Sequence, residues 1–234
     1  MTTPADDILA RLIEIAVRTR PDASGRIRLP TERVLAEQLS VQRPTLRDRL
    51  TVLETLGFIR RQQGSGTYLA LPNSQFLQFY FEVGLKLGFV SVEQIQGAME
   101  LIGAEMAATA AIRAGPEDFA ALDRVMQQLE NSHELEAFVD AQFEFHAGLA
   151  RASHNPVLII VIDALASVIR QVLSGRVAML AMVSGAFSRN VDAYANLVQA
   201  IKDHEPELSR SAIQECYALW RREASKISML YLAE

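Results

Sequence analysis

The order of periodic runs and breaks between residues 31 and 71 constrains this 234-residue chain more than any other feature. TERVLAEQL (31–39) reads as a short helix, with Thr31 as N-cap behind Pro30. The break SVQR (40–43) follows. PTLRDRLTVLETLG (44–57) is then a second helix, with proline in its first turn and Gly57 where a helix stops. FIRRQQGSGTYLAL (58–71) is two β-rich runs around Gly-Ser-Gly, the pattern of a hairpin. Upstream, DDILARLIEIAVRT (6–19) places apolar residues at 8, 9, 12, 13, 16 and 17, which is helical spacing, and the polar stretch RPDASGRIRLP connects it onward. Helix, helix, tight turn, helix, hairpin is the plan of a winged helix-turn-helix.

That plan suits DNA. Leu46, Leu50, Leu53 and Leu56 give the 44–57 helix a seating face. Its first turn presents Gln42, Arg43, Thr45 and Arg47, and arginine can grip guanine edges with two hydrogen bonds. The hairpin tip, Gln63-Gly64-Ser65-Gly66, lacks bulk, so its backbone can approach a groove or the phosphates. A solvated helix face explains any one of these arginines equally well; the assembled pattern favours DNA. Charge agrees with it: residues 1–70 carry eleven arginines, no lysine and eight acids, net +3, while residues 71–234 are net −8.

LPNS (71–74) is the expected linker between a winged helix-turn-helix at 1–70 and an all-α effector-binding and dimerisation domain at 75–234. Beyond it the sequence reads as six or seven helices, broken at Gly88, Gly115-Pro116, Asn131-Ser132, Asn155-Pro156, Ser184-Gly185 and Glu205-Pro206. The fold class is therefore mainly α, with one β-hairpin wing. The longest apolar run (156–173) carries Asp163 and Arg170 and reads as one buried core helix, so no membrane association is expected. A single cysteine, Cys216, and the lack of a signal-like N-terminus predict a cytoplasmic protein. No enzyme is expected: there is no G-x-S-x-G, H-E-x-x-H or Walker loop, and the GSG at 64–66 lies in a hairpin.

LPTERVLAEQLSVQRPTLRDRLTVLETLGFIRRQQGSGTYL (29–69) resembles the DNA-binding domain of GntR-family bacterial transcription regulators. The resemblance implies DNA contacts by Arg33, Arg43 and Arg47, polar contacts by Gln42 and Thr45, and a wing tip at Gly64, which adds to the hairpin-tip reading of Gln63, Gly64 and Ser65 as DNA-contacting. It also implies a homodimer on a short palindromic operator in double-stranded DNA. EFHAGLARASHNPVL (144–158) and LVQAIKDHEPELSRSAIQEC (197–216) resemble the FCD, or FadR-like, branch, whose helical domain binds a small effector and often a divalent metal.

The branch's metal ligands are one Asp and three His. Here those positions fall at Gln142, His146, Tyr194 and Cys216, a poor donor set, so no metal and no cofactor are expected. Asp140 stands about 240° around the helix from His146 and does not complete the set. The branch's arginine position holds Met99, and its glutamate position Gly103. Met99, Gln142, His146, Tyr194 and Cys216 would then line a neutral, mixed cavity for an effector more apolar and less acidic than a hydroxy-acid. The alternatives are a filled pocket in an effector-independent architectural DNA binder and a metal-dependent regulator that senses a carboxylate. Either Arg170 or Arg176 could face the ligand, and Arg170 is carried as the candidate; the competing reading is an ion pair with Asp163 or another acid. Tyr217 and Trp220 read as core or dimer interface, and His154 as a residue of the Asn-Pro turn.

Overall fold

The computed structural model describes residues 4–22, 26–70, 74–132, 134–183 and 185–231. The chain divides into two units, Met1–Phe76 and Leu77–Glu234. Of the expected linker at 71–74, residues 71–73 lie outside the described residues, as does Ser184 of the Ser-Gly break.

The first unit contains helices α1 (Pro4–Arg18), α2 (Glu32–Leu39) and α3 (Arg43–Thr55) and strands β1 (Ile59–Gln62) and β2 (Gly66–Leu69). Ile8, Leu12 and Ala16 of α1 meet Leu35 and Leu39 of α2 and Leu46, Leu50 and Leu53 of α3 in one core. Thr31 occupies the N-cap of α2, though without a side-chain bond. At the other end of α2, Ser40 turns left-handed at φ 55°. Arg11 then donates from α1 to the carbonyls of Leu39 and Gln38, both at 3.0 Å, so carbonyls that α2 leaves open at its end find a donor. β1 and β2 pair antiparallel from Ile59↔Leu69 to Gln62↔Gly66, and Arg28 bridges to Tyr68 as a third, short rung.

The second unit holds α4 (Gln75–Lys86), whose first turn crosses the unit boundary, and α5 (Val92–Arg113), α6 (Pro116–Asn131), α7 (Leu135–Ala152), α8 (Pro156–Ala164), α9 (Ala166–Leu180), α10 (Ala186–Lys202) and α11 (Pro206–Tyr231). Eight helices thus stand, among the described residues, where six or seven were expected. The single core helix expected at 156–173 is instead α8 and α9, bent by 63° with the break at Leu165. Neither proline nor glycine marks that bend; Leu165 N–H reaches back to the carbonyls of both Val161 and Ile162. No single helix among the described residues is long and apolar enough to cross a membrane. α7 is the centre of the unit, with twelve buried residues including Phe138, Phe145, His146 and Leu149.

Candidate functional site

On the first unit, Gln42 is the extended N-cap of α3, and Gln42, Arg43, Thr45 and Arg47 are all exposed. Burial of Leu46, Leu50 and Leu53 on the other side of α3 fixes which face those residues present. Arg47 pairs with Glu32 at 3.0 Å and Arg33 with Glu37 at 2.9 Å. Both pairs are largely solvated and worth at most about 1 kcal/mol, so they hold the guanidinium groups without locking them. Arg61 reaches from β1 to the carbonyl of Arg47 at 3.2 Å and ties the wing to α3.

The wing tip turns through Gly64 at φ 74°, with nothing within 4 Å of where a Cβ would stand. Gln63 is exposed, while Ser65 Oγ is hydrogen-bonded with Tyr68 Oη at 2.8 Å. Gly66, at φ 122°, is crowded: a Cβ would lie 2.8 Å from Arg28 Nε. Arg28 and Arg60 both pair with Tyr68 and so share its face of the sheet, and Arg26 stacks 4.6 Å over the Tyr68 ring. These three arginines were not singled out from the sequence. For Arg26 and Arg28 the signal was the RIR of GRIRLP, whose pairing partner lies far along the chain, and Arg60 lies in the hairpin run FIRRQQ.

On the second unit, His146 is 3% exposed and lines a cavity together with Ile95, Gln96, Met99, Ile169, Val172, Leu173, Arg176 and Tyr217. The cavity measures about 30 Å³, room for roughly one or two waters. The His146 ring stands edge-on to Phe145 and Tyr194 and parallel to Tyr217 at 6.3 Å. Burial, reinforced by the Arg176 charge, pushes its pKa down to about 4, so the ring is neutral at neutral pH. Its Nδ1 is enclosed and has no hydrogen-bond partner. Arg176 is partly buried and lies 4.1 Å over Trp220, and its enclosed Nε is likewise unpartnered. Gly103 makes room for this arrangement, since a Cβ there would meet Tyr217 Oη at 2.6 Å.

The Bacterial regulatory proteins, gntR family, match residues 11–69, and the FCD domain matches residues 94–219, more than half of the chain. The chain belongs to the GntR family, in its FCD branch. It is similar to the uncharacterized HTH-type transcriptional regulator YcbG of Bacillus subtilis, at 31% identity over 67% of this chain and 64% of the relative. It is also similar to the Uxu operon transcriptional regulator of Escherichia coli K12, at 28% identity over 67% of this chain and 61% of the relative. The chain thus spans somewhat less than two thirds of the length of these relatives. A structure of Streptococcus agalactiae GntR shares the fold, with TM-score 0.62 and 24% identity over 93% of this chain and 97% of that one. The relatives are transcription regulators, not enzymes.

The GntR-family frame lets the effector residues be placed one by one. Met99 and His146 line the cavity, and Tyr194 packs beside His146, both buried. Gln142 is buried too, but it donates to Asn190 Oδ1 at 3.3 Å. Cys216 is buried on α11, next to Tyr217 of the cavity wall. Arg170 is a correction. It pairs with Asp140 and lies 4.1 Å over the Phe143 ring, on the partly solvated side of α9. The ion pair given as its alternative role is thus the one it makes, with Asp140 and not Asp163. Arg176, about a turn and a half further along, is the arginine that lines the cavity. Tyr217 is core, one of the two readings given for it, and it also forms part of the cavity wall. His154 does serve the turn: at φ 48° it ends α7, and its Nε2 lies 2.8 Å from Asp118.

An FCD metal does not fit these side chains. Burial raises the Tyr194 phenol well above its ordinary range and the Cys216 thiol to about 12, so both keep their protons. The Gln142 amide is a weak neutral donor already hydrogen-bonded to Asn190. The Arg176 charge, felt at His146, opposes a dication. His204 is engaged elsewhere, its Nδ1 donating to the Ala111 carbonyl at 2.8 Å.

Proposed function

We propose that this GntR-family protein is a cytoplasmic, homodimeric regulator that binds a short palindromic operator. Gln42, Arg43, Thr45 and Arg47 would enter the major groove, Arg33 would meet the backbone, and Gln63, Gly64 and Ser65 would approach the adjacent groove. A small effector, held without metal in the cavity around His146, would shift the balance between DNA-competent and incompetent arrangements of the dimer. Met99 and His146 would meet it directly, with Tyr194, Gln142 and Cys216 behind them. The observation that carries the DNA reading is the bare, exposed N-terminal turn of α3, whose arginines make only solvated pairs. Homodimerisation is supported by Phe79, Tyr80, Leu87 and Phe89, large apolar residues exposed on and just after α4.

Footprinting on DNA flanking the gene tests this. The expected result is protection of a short palindrome, with affinity falling steeply as salt rises and falling further when an effector is present. The narrow cavity favours one other reading, a DNA binder that needs no effector. Such a protein would protect DNA and respond to no small molecule.

A further inference from the structure

The outer face of the wing carries cations that α3 and the wing tip leave unused. Ile59 and Leu69 turn one face of the β1–β2 sheet to the core, and Arg61, on that same face, reaches α3. Alternation along the strands puts Tyr68 on the opposite face. Arg28 and Arg60 stand across from Tyr68 on its two sides, so the three form one row over the sheet. Arg26 closes over the Tyr68 ring at 4.6 Å and is itself paired with Asp22 at 3.6 Å. Arg28 and Arg60 are exposed, and among the described residues no carboxylate pairs with either. The acids that meet the neighbouring arginines are committed: Asp22 to Arg26, Glu32 to Arg47 and Glu54 to Arg61. Arg28 also leans toward the tip. Its guanidinium lies over Gly66, with Nε 2.8 Å and Nη2 3.1 Å from where a Cβ would stand, two residues from the turn at Gly64. Glycine at 66 is what leaves room for it there. Like charges gathered on one small face repel, and an anion brought to that face relieves the repulsion.

We propose that the Tyr68 face of the wing is a second DNA-contacting surface, on which Arg28 and Arg60 grip backbone phosphates beside the groove that the wing tip approaches. The proposal rests on the DNA-binding reading above and adds two residues and their role. This face is turned away from α3, so its cations stand apart from the turn that reads bases. A guanidinium offers a phosphate paired N–H donors, and neither Arg28 nor Arg60 has to give up an ion pair to do so. Phosphates are the same in every sequence, so these contacts add affinity and fix the register of the wing without choosing the operator. Arg26 and Tyr68 form the platform between them, and the Ser65–Tyr68 hydrogen bond at 2.8 Å ties that platform to the tip.

The test uses the full chain and measures Kd on one selected palindrome and on a scrambled duplex, from about 50 to about 200 mM sodium chloride. Wild type is compared with Arg28→Gln, Arg60→Gln and Arg28→Lys, each checked for folding by circular dichroism. Arg151→Gln makes the same charge change on the helical unit and serves as the control. Each lost phosphate contact lowers the slope of log K against log salt by about 0.9, hence by about 1.8 in a dimer that loses one at each half-site. Arg28→Gln and Arg60→Gln should each show that fall and weaken both duplexes by the same factor. Arg28→Lys should keep most of the slope, because a point charge still meets a phosphate. Arg151→Gln should leave the slope unchanged. Wild-type slopes in both folded glutamine variants overturn the proposal. So does a loss confined to the palindrome, which would mean base reading, or an equal loss in Arg151→Gln, which would mean net charge alone. In each of those cases wild type still binds the palindrome and the DNA-binding reading stands. If wild type itself binds neither duplex in a salt-dependent way, both fall.

Discussion

His146 makes the helical unit's stability depend on pH in a way that can be worked out in advance. Its ordinary pKa is 6.5, and burial, with the Arg176 charge behind it, takes the folded value to about 4. The unfolded chain therefore takes up a proton below about pH 6.5, and the folded chain only below about 4. The stabilisation from keeping this ring neutral is whole above pH 6.5 and is lost as pH falls through that window. Between pH 7.5 and 5 the loss is about 2 kcal/mol, with no discount for solvent because the ring is 3% exposed. Trp220 is the sole tryptophan and belongs to the helical unit, so its fluorescence during urea unfolding follows that unit alone. His146→Gln removes the titration but keeps a polar side chain. The wild-type protein should lose about 2 kcal/mol more than His146→Gln over this interval. Parallel pH dependences in the two proteins would refute the reasoning, since every other titrating group is common to both.

Three substitutions probe the packing behind the two sites. Gly103→Ala gains up to about 1 kcal/mol in helix propensity but drives a methyl into Tyr217, an overpacking that costs about 1–3 kcal/mol. Its net effect should be lower stability by Trp220 fluorescence, and unchanged stability would mean Tyr217 is not held as described. Gly66→Ala meets both φ 122° and the Arg28 guanidinium, so the first unit should lose about 1–3 kcal/mol and the wing its footprint protection. Full wing-side protection in that variant would remove the wing from the interface. Asn155→Ala deletes the N-cap bond to Val157 N–H at 3.1 Å and should cost about 1 kcal/mol in the same unfolding assay; no loss would show that α8 does not depend on its cap.

The first unit is legible in the sequence because its signals are local. Thr31 before α2, proline in the first turn of α3, glycine after it and Gly-Ser-Gly in the hairpin each mark a boundary within a few residues. In the second unit the breaks at Gly115-Pro116, Asn155-Pro156 and Glu205-Pro206 are equally plain, and the helices begin there. The break at Leu165 is not marked by any residue type, so the sequence reads on as one helix. Arg170 and Arg176 stand about 240° apart around α9, so when Arg176 lines the cavity Arg170 is left on another side, with Asp140. The fit of Tyr217 against Gly103 is similarly hidden, because it joins α11 to α5 and has no local signature. His146, by contrast, is visible in its own short segment. What the segment could not reveal is that its surroundings are a cation, two protonated phenols and a thiol instead of metal ligands.

The most direct test of a DNA-reading first unit is operator affinity measured on one selected palindrome for wild type, Arg43→Ala and Arg47→Ala. Each substitution should cost about 1–3 kcal/mol, roughly fivefold to 150-fold in Kd, with both variants still folded. Full wild-type affinity in both would contradict the assignment of α3 as the helix that reads DNA.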